Sequence, residues 1–195
     1  MKNQITFQQY RAIDLTIMMV MLAFSQVLTH LATSFWFPEQ LYVASPLGGI
    51  VALVMMRWSG YAAIHACLGG LVFTALSGGG IQQYLIYGLG NLLALAMLVM
   101  FKFFGKERIR KDSFLSLTFG LGTQLMMMLG RAGIALLLGH PAEICIRFIT
   151  TDVLSCLFTM LIIWIVRRVE GLFEDQKLYL LRIQQEQTVE RGEKF

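Results

Sequence analysis

Apolar residues in this chain come in six blocks separated by short polar connections. They run from Ile13 to Thr33, Leu41 to Met56, Tyr61 to Ser77, Gln82 to Phe101, Phe114 to Leu138 and Ile144 to Val166. A helix needs about 20 residues, with a range of roughly 17 to 25, to cross the hydrocarbon core of a bilayer. The second block falls short of that and carries Pro46, Gly48 and Gly49. Taken alone, it reads as a re-entrant loop or a tilted, broken helix. Beyond Arg168 the pattern changes. Val169, Leu172, Phe173, Gln176, Leu180 and Ile183 recur at helical spacing among Glu174, Asp175, Lys177 and Arg182. This predicts an amphipathic helix to about Gln187, with Val189 to Phe195 frayed.

Composition turns the pattern into an expectation of a membrane protein. Apolar residues make up 56% of the chain and charged residues only 14%, where a soluble domain carries roughly a quarter charged. The polar start, Met1 to Arg11, leads into the first block without a small-residue cleavage site, so that helix is expected to be retained. Cys67, Cys145 and Cys156 lie within apolar blocks, which predicts buried thiols instead of a disulfide framework or a CxxC metal site.

Charge orients the blocks. The connection from Lys102 to Asp112 carries Lys102, Lys106, Arg108, Arg110 and Lys111, and short basic loops stay in the cytoplasm. If all six blocks cross, then Lys2, Arg11, Arg57, Arg167, Arg168, Lys177, Arg182, Arg191 and Lys194 lie on that side too. The outer connections then hold no Lys or Arg. Were the second block not to cross, Lys2 and Arg11 would move outside and the bias would weaken. The expectation is therefore an all-α bundle of six transmembrane helices over residues 1–168, with both termini cytoplasmic. A cytoplasmic helical tail over 169–195 follows, and the location is the plasma membrane.

With that orientation four of the helices carry polar faces in their outer halves. Gln26, His30 and Thr33 share one face of the first helix. Tyr84, Tyr87 and Asn91 follow one another at helical spacing on the fourth, which opens with Gln82 and Gln83, while its inner half from Leu92 to Phe101 has no polar side chain. Gln124 and Arg131 are seven residues apart on the fifth helix, and Glu143, Arg147, Thr150 and Thr151 form a broad face on the sixth. Polar side chains often join membrane helices to one another, but that role gives no reason to avoid the inner halves. The set predicts a cavity open to the outside, near the aromatic residues Phe35, Trp36, Phe37 and Tyr42.

Arg131, Arg147 and Asp152 are the costly residues, since an ionised group at depth costs at least about 2.5 kcal/mol on insertion scales. Two alternatives stand for the arginines. Arg131 pairs with Asp152 and Arg147 with Glu143, or at least one guanidinium reaches a ligand with a carboxylate or phosphate. On the third helix Ala62, Ala66, Gly70, Thr74 and Gly78 repeat every four residues, a stripe that lets another backbone come close, from this chain or from a partner. His65 lies on its inner half and reads as structural.

The chain has no GxxxxGK[ST] loop, no HExxH, no paired metal-holding carboxylates and no Ser/His/Asp set at matching depth. No catalysis, cofactor, metal or nucleic-acid partner is expected. Inverted repeats and a chain of acidic groups across the membrane, as in many secondary transporters, are absent too. An outward pocket without an energy source points to a binding subunit that borrows one. A self-sufficient small transporter or channel, and a structural or assembly membrane protein, are the alternatives.

The size, the short Gly/Pro-bearing second helix, the one-sided polar pocket and the stretch from Ser45 to Asn91, SPLGGIVALVMMRWSGYAAIHACLGGLVF through QQYLIYGLGN, resemble the substrate-binding S component of energy-coupling factor (ECF) vitamin transporters. The resemblance covers nearly the whole chain. It implies capture of a vitamin or precursor from outside, with a transmembrane coupling subunit and two ATPases as partners. It also implies a pocket drawn from Trp36, Gln40, Tyr42, Gln82, Gln83, Tyr84, Tyr87, Asn91, Arg131, Arg147 and Asp152. Many members carry Ala-xxx-Ala in the first helix for docking to the coupling subunit. Here Ala23 is flanked by Met19 and Val27, so Ala62, Ala66, Gly70 and Thr74 are the substitute docking stripe.

Overall fold

The protein is described by a computed structural model covering residues 6–36 and 44–192, in which the only regular structure is helical. In chain order α1 is Phe7–Trp36, α2 Leu47–Trp58, α3 Ala62–Leu76, α4 Ile81–Gly90, α5 Val99–Phe104, α6 Lys106–Lys111, α7 Ser113–Leu137, α8 Ala142–Thr150, α9 Val153–Val166 and α10 Gln176–Gly192. Two 3-10 stretches, Ser59–Tyr61 and Asn91–Leu98, link α2 to α3 and α4 to α5. Among the described residues five helical runs are long and apolar enough to cross a membrane: Phe7–Phe35, Leu47–Leu76, Ile81–Phe104, Ser113–Leu137 and Ala142–Val166. Large apolar side chains such as Val20, Phe24 and Leu137 stand on the outer surface, 64%, 62% and 82% exposed. A surface of that kind is compatible with lipid and costly in water.

The run Leu47–Leu76 joins the second and third predicted blocks, and it turns back on itself. Ser59 adopts φ 53°, ψ −120°, a conformation that leaves the helical path. Leu47 Cδ1 lies where a Cβ on Gly69 would stand; along a straight helix those residues would be about 33 Å apart. Thus α2 and α3 form a helical hairpin. Pro46 sits just before α2, where its missing N–H costs nothing. All 12 residues of α2 are buried, and the helix is about 18 Å long. The second block is short because it is a central strut, wrapped by α1, α3, α7 and α9.

Most of the basic residues collect at one end of this bundle, where the tail is also fastened. Tyr10 Oη donates to Gln176 Oε1 at 2.8 Å, so the start of α1 and the start of α10 meet there. Asp14 on α1 accepts hydrogen bonds from Arg57 Nε at 3.0 Å, Arg57 Nη2 at 2.6 Å and Trp58 Nε1. Arg57 Nη1 donates onward to the carbonyls of Gly171 and Leu172 at 2.7 and 3.0 Å. Lys106 pairs with Asp175 at 2.6 Å and Arg110 with Glu174 at 3.5 Å. His65 is buried, with Nε2 3.0 Å from the Leu15 carbonyl, which fits the structural role expected of it.

The tail departs from its predicted form. Residues 169–175 are a turn folded under the bundle, not helix, and the helix begins at Gln176 and continues to Gly192, past the expected fraying point. Gly171 takes φ 76°, open to glycine without strain, and reverses the chain. Phe173 is then 1% exposed. The spacing of Val169, Leu172 and Phe173 fits a helix and a buried turn equally well, and the carbonyls released by the turn are those that Arg57 holds.

Candidate functional site

At the opposite end, two glycines bring the polar residues together. A Cβ on Gly130 of α7 would lie 2.0 Å from the Gly90 carbonyl oxygen, and one on Gly90 would lie 2.7 Å from Arg131 Cα. Backbones this close exclude any side chain, so α4 and α7 cross at these two positions. The crossing sets Asn91, the first residue of the 3-10 stretch, beside Arg131. Asn91 is fully buried; its Nδ2 donates to the Ala66 carbonyl at 3.0 Å, which turns Oδ1 towards Arg131 Nε at 2.6 Å.

Arg131, 5% exposed, donates through Nη1 to Asp152 Oδ2 and holds its guanidinium carbon 4.9 Å from the centre of the Tyr87 ring. The same carboxylate oxygen accepts from Gln124 Nε2 at 3.2 Å, and Oδ1 accepts from Ser155 Oγ at 3.1 Å. Ser155 Oγ in turn accepts from the Ser45 amide at 2.9 Å, and Ser45 Oγ accepts from Gln26 Nε2 at 3.3 Å. Side chains of α1, α7 and the ends of α4 and α9 thus join one network. The pairing of Arg131 with Asp152 is one of the two alternatives open from the sequence.

Helix interruptions coincide with this network. The run Ala142–Val166 breaks at Thr151 and Asp152, between α8 and α9. The run Ile81–Phe104 changes to 3-10 geometry at Asn91 and keeps it for 8 residues, where stretches beyond about 3–4 residues are uncommon and often mark a functional hinge or strain. Irregular backbone inside a membrane-length helix is tolerated where it is buried in protein or lines a cavity. Here it does both.

Gln26, Ser45, Leu47, Gly70, Phe73, Tyr87, Arg131, Phe148, Thr151 and Asp152 line a cavity of about 20 Å³, room for about one water. The Tyr87 ring lies 5.2 Å from Phe73 and 5.9 Å from Phe148, centre to centre. Three groups on the cavity lining have hydrogen-bonding capacity to spare, the Tyr87 hydroxyl among them. Among the described residues Arg131 Nη2 donates to nothing, and Gln26 Oε1, on a side chain 1% exposed, accepts from nothing.

Of the residues expected at the site, Tyr87, Asn91, Arg131 and Asp152 come together. Gln82 and Gln83 are exposed at the start of α4 and line a separate shallow groove with Ile86, His140 and Phe148. Tyr84 is half-buried on α4 and does not line the cavity. Trp36 ends α1, while Gln40 and Tyr42 lie outside the described residues. Arg147 is exposed on α8 and makes no ion pair with Glu143 among the described residues, so that expected pair does not form. The stripe Ala62, Ala66, Gly70 and Thr74 is buried inside the chain, with Gly70 against the Tyr87 carbonyl. It receives α4, which corrects its assignment as a docking surface.

Sequence reasoning placed Gln26 and Thr151 on polar faces but left both out of the site, and it missed Ser45, Phe73 and Phe148. Gln26 had a signal in its spacing with His30 and Thr33. Phe73 and Phe148 had none, since an aromatic facing a cavity reads like one facing lipid. No protein-family model matches the chain, and neither does any curated protein or solved structure.

Proposed function

We propose that this chain is the substrate-binding membrane subunit of an ATP-driven importer of the energy-coupling factor type, capturing a small vitamin-like molecule from outside the cell. In this reading all six blocks cross the plasma membrane, with α2 and α3 as separate passes. The basic end and both termini lie in the cytoplasm, and the Arg131 network lies in the outer half. Binding is the whole of its chemistry. The chain carries no phosphate loop, so transport requires a coupling subunit and two ATPases as partners.

One observation carries the proposal. A buried network placed where two apolar helices are interrupted leaves an acceptor, Gln26 Oε1, buried without a partner on a residue that lines a cavity, and across the same lining Arg131 has bonds from Nε and Nη1 but none from Nη2 among the described residues. Polar contacts that only join helices satisfy one another, because an unmatched buried group costs about 1–3 kcal/mol. A ligand with complementary groups removes that cost. The test is native mass spectrometry of the protein purified from rich medium, which should reveal a bound small molecule that is lost in Arg131→Met. Co-expression with a coupling subunit and its ATPases should then give uptake that stops without ATP. Uptake by the purified protein alone in liposomes, driven by an ion gradient, would replace this proposal with a self-sufficient transporter.

The Arg131–Asp152 pair itself favours a second reading, a scaffold without ligand in which the pair only fastens α7 to α9. For that reading the purified protein carries no small molecule, and exchanging the two residues restores stability with nothing else lost.

A further inference from the structure

We infer that the cavity takes a neutral, planar heterocycle that presents a hydrogen-bond donor and an acceptor on its polar edge, as a ring amide or a carboxamide does. The inference rests on the binding function proposed above and names its ligand class.

Charge makes the first selection. Among the described residues Arg131 and Asp152 are the only charged ones on the cavity wall, and they are bonded to each other. An anion brought to Arg131 would also meet the Asp152 carboxylate, and a cation brought to Asp152 would meet the guanidinium. Both are 5% exposed, and in so dry a site the repulsion is weakly screened. Either ion would add a third charge beside the pair, buried without a counter-charge of its own. A neutral molecule leaves the pair intact. Two arginines on their own favour a carboxylate or phosphate. With Arg147 on the surface and Arg131 neutralised by Asp152, that preference disappears.

Hydrogen bonding makes the second selection. Gln26 Nε2 is committed to Ser45 Oγ at 3.3 Å, which leaves Oε1 to receive a proton from the ligand. Arg131 Nε and Nη1 are committed to Asn91 and Asp152, which leaves Nη2 to donate to the ligand. One molecule that answers both must carry an N–H or O–H and a carbonyl or ring nitrogen.

Shape makes the third. Tyr87 already carries the Arg131 guanidinium against its ring at 4.9 Å, so an incoming ring packs against Phe73 and Phe148. The present 20 Å³ does not hold a heterocycle. Entry requires Phe148 to swing away with α8, whose nine residues are joined to α9 only through the turn at Thr151 and Asp152.

The test is thermal unfolding of the full-length protein in detergent with matched probes, nicotinamide against nicotinate and uracil against orotate. Nicotinamide or uracil should raise the unfolding temperature, and the carboxylate of the same pair should raise it less. Gln26→Met, close in size and lacking the acceptor, should abolish the shift. If that variant does not fold, the matched pairs in the unmodified protein decide alone. Greater stabilisation by nicotinate or orotate, or an unchanged shift in Gln26→Met, would overturn the ligand class. So would the absence of any shift. In that case a small molecule found by native mass spectrometry leaves the binding function standing with another ligand, and its absence removes both.

Discussion

The protein holds two buried arginine–aspartate pairs, one at each end of the bundle, and they differ in what the arginine has left over. Arg57 spends Nε and Nη2 on Asp14 and Nη1 on two carbonyls of the tail turn, while Asp14 also receives Trp58. Arg131 spends Nε on Asn91 and Nη1 on Asp152 and keeps Nη2 facing a cavity. Both side chains are about equally buried, at 4% and 5% exposed, so burial does not distinguish them. A closed set of bonds fastens, and an open one invites a partner. One feature accompanies the open pair and not the closed one: an unmatched amide oxygen, Gln26 Oε1, on a residue that lines a cavity.

The comparison is tested most severely by removing one partner. Arg57→Met and Arg131→Met should each cost about 3–5 kcal/mol, because each strands a buried carboxylate. Unfolding in detergent should show similar losses, yet only Arg57→Met should free the tail to limited proteolysis near Arg168 and Lys177. Replacing both members separates the pairs further. Arg131→Met with Asp152→Leu should cost less than Arg131→Met alone, about 1–3 kcal/mol, while abolishing ligand binding, since it strands no charge and leaves only the Gln124 and Asn91 amides unmatched. Asn91→Leu should cost about 1–3 kcal/mol by leaving the Ala66 carbonyl and Arg131 Nε unmatched, and it should weaken binding without eliminating it. The smallest effect belongs to Arg147→Ala, within about 0.5 kcal/mol, as expected of an exposed side chain without an ion pair. Loss of binding in that variant would move the site outward, towards α8 and the groove behind Gln82 and Gln83.

The open pair was more legible in the sequence than the closed one. Arg131 and Asp152 stand out because ionised residues are expensive inside apolar blocks, and depth alone suggested that they meet. Asp14 lies at the start of the first block, where a charge needs no explanation, and Arg57 looked like an ordinary cytoplasmic residue. What joins them is the reversal at Ser59 and the turn at Gly171. Both are single-residue backbone events that hydrophobic spacing does not record. Block positions transferred well for the fifth helix, expected from Phe114 to Leu138 and found from Ser113 to Leu137. They transferred poorly where the helix is interrupted: nothing in the run from Ile144 to Val166 announces the break at Thr151. The stripe on α3 gave the right surface property and the wrong partner, because close approach is a property of the small residues and not of what approaches.

The 3-10 stretch from Asn91 to Leu98 also makes the run Ile81–Phe104 a kind of screw. A 3-10 helix rises about 2.0 Å per residue with about 3.0 residues per turn, against about 1.5 Å and 3.6 for an α-helix. Across its 8 residues the difference is about 4 Å of length and about 160° of rotation. The stretch begins at the Asn91 contact with Arg131 and ends on α5, next to the basic residues of α6. Any change in winding there would turn α5 relative to α4, so the geometry at Asn91 sets the angle at which the chain enters the basic loop.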